Sequence, residues 1–176
     1  KAKGEIIDHL QKNGTIILNR DSQYFGYLSH KAKQKKIRIV TFGKSKNSDI
    51  RLIKINYKDE KKKLAILIQG KVFNLKVNFI NEYNILASLA VLNELKLDLQ
   101  NFKKVFENFE PTEGRGKIHN IKRYNKRFKL IDESYNANPL SVKIAINNFI
   151  KLKKNNSKKY LLLGDMLELG KKSKIY

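Results

Sequence analysis

The chain has 176 residues, 41% of them hydrophobic, with nine Phe and eight Tyr, enough for the core of one domain or two small ones, which excludes a disordered tail. Its 38 Lys and Arg against 16 Asp and Glu give a formal charge of +22; this raises a basic nucleic-acid-binding module as the alternative to an enzyme, but the charge is mostly lysine spread through every segment, with no arginine-rich face or aromatic RNA-binding motif, so no nucleic-acid partner is expected. Cysteine is absent and the three His are dispersed, so there is no disulfide framework, thiol chemistry or metal-ligand spacing, and with no stretch of about 18 apolar residues and no cleavable leader, a cytoplasmic protein without a membrane partner is expected.

The chain opens as if inside a helix, with Ile6, Ile7 and Leu10 on one face. Thr15 to Asn19 is a short apolar strand, and the polar exit Asn19-Arg20-Asp21-Ser22 can cap a helix from Gln23 to about Lys33. Ile37 to Phe42 is the next strand, so the opening reads as helix, strand, helix, strand, the pattern of a parallel sheet. Gly43-Lys44-Ser45 then invites a phosphate-loop reading, which fails: the first glycine of that motif belongs where Arg38 stands, and Asn47-Ser48-Asp49 leads into a strand rather than a helix. It reads as a polar turn.

Strands over Asp49–Tyr57, Leu64–Ile68 and Val72–Val77 follow, joined by turns around Lys58 to Lys63 and Gln69-Gly70-Lys71 that allow only antiparallel hairpins. Two amphipathic helices come next. One runs from about Asn81 to Leu95 with Ile85, Leu86, Leu89, Leu92 and Leu95 inward; the other starts at Asp98 with Leu99, Phe102, Val105, Phe106 and Phe109. Glu110 to Gly116, with one Pro and two Gly, is the candidate linker, and a domain boundary is expected near Phe109 to Gly116.

Beyond the linker, Lys117–Tyr124 and Arg127–Asp132 form a hairpin about Asn125-Lys126. The stretch Leu130 to Pro139 is an apolar strand ending in two carboxylates, then an Asn-rich loop, then an abrupt helix start. Asn138 is a natural N-cap, and Pro139 at the first helical position sacrifices no needed N–H. The helix is expected to run to about Lys153 and to bury Val142, Ile146 and Phe149 or Ile150. Tyr160 to Leu163 is apolar enough for a strand buried on both faces, with Gly164 to Gly170 leaving its C-terminal end. A hairpin, one helix and one strand are too little to cover a parallel sheet on both faces, so the chain is expected to be cut off at both ends.

Four motifs stand in an order and at intervals similar to those of the Mur ligases: Ala2-Lys3-Gly4-Glu5-Ile6, Gly114-Arg115, Asp132-Glu133-Ser134-Tyr135-Asn136-Ala137-Asn138-Pro139, and Gly164-Asp165-Met166-Leu167-Glu168-Leu169-Gly170. The chain resembles that family from its first residue to its last, and within it the D-alanyl-D-alanine-adding branch. Folylpolyglutamate synthetase relatives are a more distant reading, against which the 134–138 and 164–166 segments argue. The resemblance implies an α/β fold: residues 1–109 as the second half of a central ATPase domain, with a parallel sheet edge and a small antiparallel sheet; 110–116 as linker; and 117–176 as the first half of a Rossmann-like C-terminal domain.

The resemblance further implies a monomeric enzyme that uses ATP and Mg²⁺. It would activate the carboxylate of UDP-N-acetylmuramoyl-tripeptide as an acyl phosphate, which the amine of D-alanyl-D-alanine attacks. By the same resemblance Lys3 is the catalytic-site lysine that becomes a carbamate and a magnesium ligand, because a carbamate offers anionic oxygens where an ammonium has only donors. Asn84 meets the adenine, although Asn81, Tyr83 and Ala87 replace the glycine, histidine and second asparagine usual around it. Arg115 reaches phosphate or ribose oxygens, and Glu133 takes the place of an acidic residue, more often Asp, that reaches the ribose. Asn136 faces the cleft, and Asp165 and Glu168 belong to a loop on the D-alanyl-D-alanine side. The family's glycine-rich phosphate loop lies upstream of all these motifs, so the 176 residues alone are expected to be inert and to bind ATP weakly or not at all.

Overall fold

A computed structural model describes residues 2–58, 61–78, 81–152, 158–167 and 169–170, with the backbone alone for residues 2, 3 and 58. It is an α/β structure with two sheets: five strands in the order β1-β2-β3-β4-β5, and a separate pair β6-β7. The strands are β1 (Thr15–Asn19), β2 (Arg38–Gly43), β3 (Ile50–Lys58), β4 (Lys61–Ile68), β5 (Lys71–Asn78), β6 (Lys117–Arg123) and β7 (Lys126–Asp132). The helices are α1 (Phe25–Gln34), α2 (Glu82–Glu94), α3 (Leu99–Asn108) and α4 (Pro139–Lys151), preceded by a 3-10 helix over Ala2–His9. Among the described residues no helix is long and apolar enough to cross a membrane.

The parallel and antiparallel portions expected from the sequence join into one mixed sheet. β1 pairs parallel with β2, β2 parallel with β3 through Phe42 and Gly43 against Ile50 and Arg51, and β3-β4-β5 are antiparallel. Alternation decides the buried face: Leu64, Ile66 and Ile68 of β4 and Phe73, Leu75 and Val77 of β5 point into a core shared with Ile85, Leu86, Leu89 and Ala90 of α2, with α2 packed on β1, β2 and β3 and α3 on β5. A smaller cluster of Ile7, Ala32 and Ile37 fastens the opening 3-10 helix to α1 and β2.

Several expectations are corrected in detail. The opening helix has a period of three, so Gly4, Ile7 and Leu10 share the packed face while Ile6 points to solvent. α1 starts at Phe25, two residues late, because Ser22 Oγ accepts from the Tyr24 N–H and holds one more turn before the helix. In α2 the inward face closes with Ala90, and Leu95 lies exposed past the helix end. α3 carries Leu99 and Phe106 on the core, but Val105 and Phe109 are exposed. The expected Lys58–Lys63 turn is shorter, since β4 already begins at Lys61.

The hairpin β6-β7 forms, but its turn is Tyr124-Asn125, both with positive φ, one residue earlier than the expected Asn125-Lys126, and Lys126 already pairs with Arg123. α4 begins with Pro139 and with Asn138 as cap, and Phe149 rather than Ile150 is the partly buried residue. Tyr160 to Leu163 is not a buried strand: the segment is irregular and exposed, Leu162 at 91%. A strand exists only through a ladder partner, and no described strand lies beside this one to pair with its N–H and C=O groups.

Candidate functional site

The linker and the loop after β7 are tied into one unit by Asp132. Its carboxylate accepts the Gly114 N–H at 2.9 Å and the Ser134 N–H at 3.1 Å, while its carbonyl accepts from Gly116 at 2.7 Å and the Gly114 carbonyl accepts from Tyr135 at 3.1 Å. Hydrogen bonds from Ser134, then from Gly114, hold the Asp132 carboxyl below the ordinary carboxylate range. Gly114, at φ +72°, fits because it has no Cβ; one added there would stand 2.7 Å from the Tyr135 Cβ. The Arg115 guanidinium lies over the Tyr135 ring, 4.2 Å from its centroid, and the residue is exposed to solvent. Glu133 sits beside Gly116, and burial, then the charge of Asp132, pushes its carboxyl up. The junction therefore presents a cation and a carboxyl on one hydrogen-bonded frame, suited to phosphoryl and hydroxyl oxygens.

At the other end of that loop the Asn138 side chain accepts the Ser141 N–H at 2.9 Å, and Ser141 Oγ accepts the Asn138 N–H at 3.0 Å, a reciprocal capping box ahead of Pro139. Both Asn136 and Asn138 are exposed, but the Asn138 amide is engaged in the cap.

A second polar cluster surrounds the start of α2. Asn81 caps the helix through the Tyr83 N–H at 3.0 Å. The carboxylate of Glu82 pairs with Lys44 at 3.0 Å and with Lys62 at 3.1 Å. Burial, the largest single influence, would push the Glu82 carboxyl up, but the Lys62 charge, the local backbone and the hydrogen bonds from Lys44 and Lys62 together outweigh it and hold it at about 2. The Tyr83 hydroxyl donates to Asp21 at 3.1 Å, and Asp21 also accepts the N–H groups of Lys44 at 2.6 Å and Ser45 at 3.0 Å. Gly43, at φ +155°, is needed there because a Cβ would meet Asp21 Oδ2 at 2.7 Å. The Gly43-Lys44-Ser45 segment is a polar turn, as its sequence implied, and its donors face a carboxylate of the same chain.

The structure thus gathers Arg115, Glu133 and Asn136 on one junction. Asn84 is exposed in the first turn of α2, its N–H donating to the Asn81 carbonyl at 3.1 Å. The backbone of Lys3 belongs to the 3-10 helix, and its side chain lies outside the described residues, as does all of Glu168. Asp165 is exposed in the irregular segment 158–167. No group of three or more His, Cys, Asp or Glu that could hold a metal exists among the described residues. Sequence reasoning missed Asp132 and Asp21 as organisers; the signals were Asp132 eighteen positions after a Gly-Arg pair and a lone Asp placed to cap a turn.

Residues 1–93 match the family model of the Mur ligase middle domain. A UDP-N-acetylmuramoyl-tripeptide--D-alanyl-D-alanine ligase of Rickettsia prowazekii is 30% identical over 174 residues, 97% of this chain and 37% of that protein. A crystal structure of MurF from Acinetobacter baumannii aligns with TM-score 0.75 at 25% identity, over 98% of this chain and 36% of that one. The MurF ligase of Thermotoga maritima, crystallised in complex with ADP, aligns with TM-score 0.80 at 23% identity, over 98% of this chain and 38% of that one. The chain spans little more than a third of the length of these relatives, and within that span it belongs to the Mur ligase family.

Proposed function

We propose that the chain is part of an ATP-dependent ligase of peptidoglycan-precursor synthesis that joins D-alanyl-D-alanine to UDP-N-acetylmuramoyl-tripeptide in the cytoplasm. In this reading residues 1–109 belong to the central ATP-binding domain, 110–116 are the linker and 117–176 belong to the C-terminal domain. The observation that carries it is the junction: an arginine over the Tyr135 ring, on a linker that the Asp132 bonds tie to the loop of Glu133. This fits a nucleotide, because an aromatic platform restricts the guanidinium without consuming its donors.

ATP supplies the phosphoryl group that turns the tripeptide carboxylate into an acyl phosphate, from which the incoming amine displaces phosphate. Arg115 binds phosphate or ribose oxygens and offsets charge there. Glu133 orients a ribose hydroxyl by accepting its hydrogen bond, with Asn136 beside it, and Asn84 offers both a donor and an acceptor to the adenine edge. Asp165 and Glu168 belong to the D-alanyl-D-alanine side. For Mg²⁺ the described residues hold no acidic cluster, and Lys3 as its carbamate is the residue of this chain that would contribute a ligand. The glycine-rich phosphate loop of the family is not among the 176 residues, so the isolated chain is inert in this reading.

The test is ADP release by the complete gene product with both peptide substrates. Arg115→Ala is expected to raise the KM for ATP roughly 10- to 100-fold, the scale of one charge-assisted contact, with the melting temperature within about 2 °C. Unchanged ATP kinetics would reject the role of Arg115, and ADP release that ignores D-alanyl-D-alanine would reject the whole reading.

A further inference from the structure

Lys62 stands in the run Lys61-Lys62-Lys63, which the sequence presents as a solvated turn, yet its side chain is 0% exposed. The cause is strand parity: Lys62 shares the face of β4 that carries Leu64, Ile66 and Ile68 inward. Its ammonium donates to Glu82 Oε2 at 3.1 Å and to Asn148 Oδ1 at 3.4 Å. It also lies 5.9 Å from the centroid of the Tyr57 ring. One helical turn beyond Asn148, Lys151 donates to the Tyr57 hydroxyl at 3.3 Å and sits 5.2 Å from the same ring.

These partners come from different parts of the molecule. Glu82 is the first residue of α2, two positions before Asn84. Asn148 is on α4, whose N-terminus continues directly from the loop of Glu133 and Asn136. One buried ammonium therefore bonds α2, which carries Asn84, and α4, which follows the loop of Glu133 and Asn136. The Glu82 bond lies within the part of the molecule that carries β4, so withdrawal of α4 would leave it in place and exchange only the Asn148 amide for water.

The geometry assigns to Lys62 the role of a positioning residue: a latch, completed by Asn148, that fixes the distance between α2 and α4. The assignment of what the latch serves rests on the ligase reading; the latch itself does not.

The chain contains no cysteine, so Gln23→Cys and Lys143→Cys, both at exposed positions, give two unique sites for donor and acceptor dyes. Energy transfer in the 176-residue chain is expected to show one short-distance population. Asn148→Leu and Lys62→Met should each lengthen it, and the double variant should add nothing, because both break the same Lys62–Asn148 bond to α4. Asn148→Asp, which preserves an acceptor, should keep the short distance. An unchanged distance in Asn148→Leu, additive lengthening in the double variant, or Asn148→Asp behaving as Asn148→Leu would overturn the latch. Circular dichroism melts of each variant separate lobe separation from unfolding.

In the complete gene product, Asn148→Leu is expected to raise the KM for ATP roughly tenfold while kcat stays within about twofold, as when the binding-competent population falls about tenfold. Lengthened dye distance with unchanged KM would refute the positioning role. Activity independent of D-alanyl-D-alanine would instead sink the ligase reading, leaving the distance measurements to decide the latch.

Discussion

Gly114 and Gly70 have nearly the same backbone angle, φ +72° and +76°, in opposite surroundings. A Cβ at Gly70 meets nothing within 4 Å, whereas one at Gly114 falls 2.7 Å from the Tyr135 Cβ, 2.9 Å from its N and 3.1 Å from its Cα. Gly70→Ala therefore isolates the cost of a left-handed alanine, ~1–2 kcal/mol. Gly114→Ala adds a collision with backbone that cannot swing aside, a further ~1–3 kcal/mol by analogy with overpacking. Since ~1.4 kcal/mol is a factor of ten in an opening equilibrium, protection should fall roughly 5- to 30-fold at the Ile68–Lys71 end of the β4-β5 hairpin in Gly70→Ala. In Gly114→Ala the Gly116 and Tyr135 amides, which bond the Asp132 and Gly114 carbonyls, should lose about 30-fold or more. Amide hydrogen exchange by NMR reads both. Equal losses at the two sites would refute the claim that the linker is pressed against the loop.

Other outcomes follow from the charges. The Glu82 carboxyl is held at about 2 against an ordinary 4.5, so its contribution to stability is complete above pH 4.5 and is lost as pH falls toward 2. Glu82→Gln should melt lower than the wild type near neutrality, with the gap closing by about pH 2; parallel melting profiles down to that pH would contradict the ion-pair assignment. Lys63 and Lys76 stand directly opposite each other on exposed faces of β4 and β5. Lys63→Glu should raise the urea-derived stability by ~0.2–1 kcal/mol, less in high salt. Titration of labelled single- and double-stranded oligonucleotides should give weak binding that disappears by about 0.2 M salt; tight binding with a steep salt slope would favour the nucleic-acid module.

What could be read from sequence was what neighbours in the chain decide. Pro139 behind Asn138 located the start of α4, and alternation located all three strands of the antiparallel portion within a few residues. The failures share one physical origin, contact at a distance. Lys62 looked solvated because lysines flank it, while its fate is set by strand parity and by Asn148, eighty-six positions away. Tyr160 to Leu163 has the composition of an interior strand, but composition does not supply a ladder partner. Arg115, Glu133 and Asn136 came from motif resemblance; that they share a frame depends on Asp132 bonding Gly114, which no periodicity reports.

The Gly43 turn carries a consequence of its own. In a protein of charge +22, any open nest of backbone N–H groups is a standing invitation to inorganic anions. Here the seat is taken by a built-in guest: the Asp21 carboxylate accepts both the Lys44 and Ser45 N–H groups and leaves no room even for a methyl group at Gly43. The turn that most resembles a phosphate cradle is thus plugged from within, so anions drawn in by the surface lysines find that socket shut and the Arg115 fork still open.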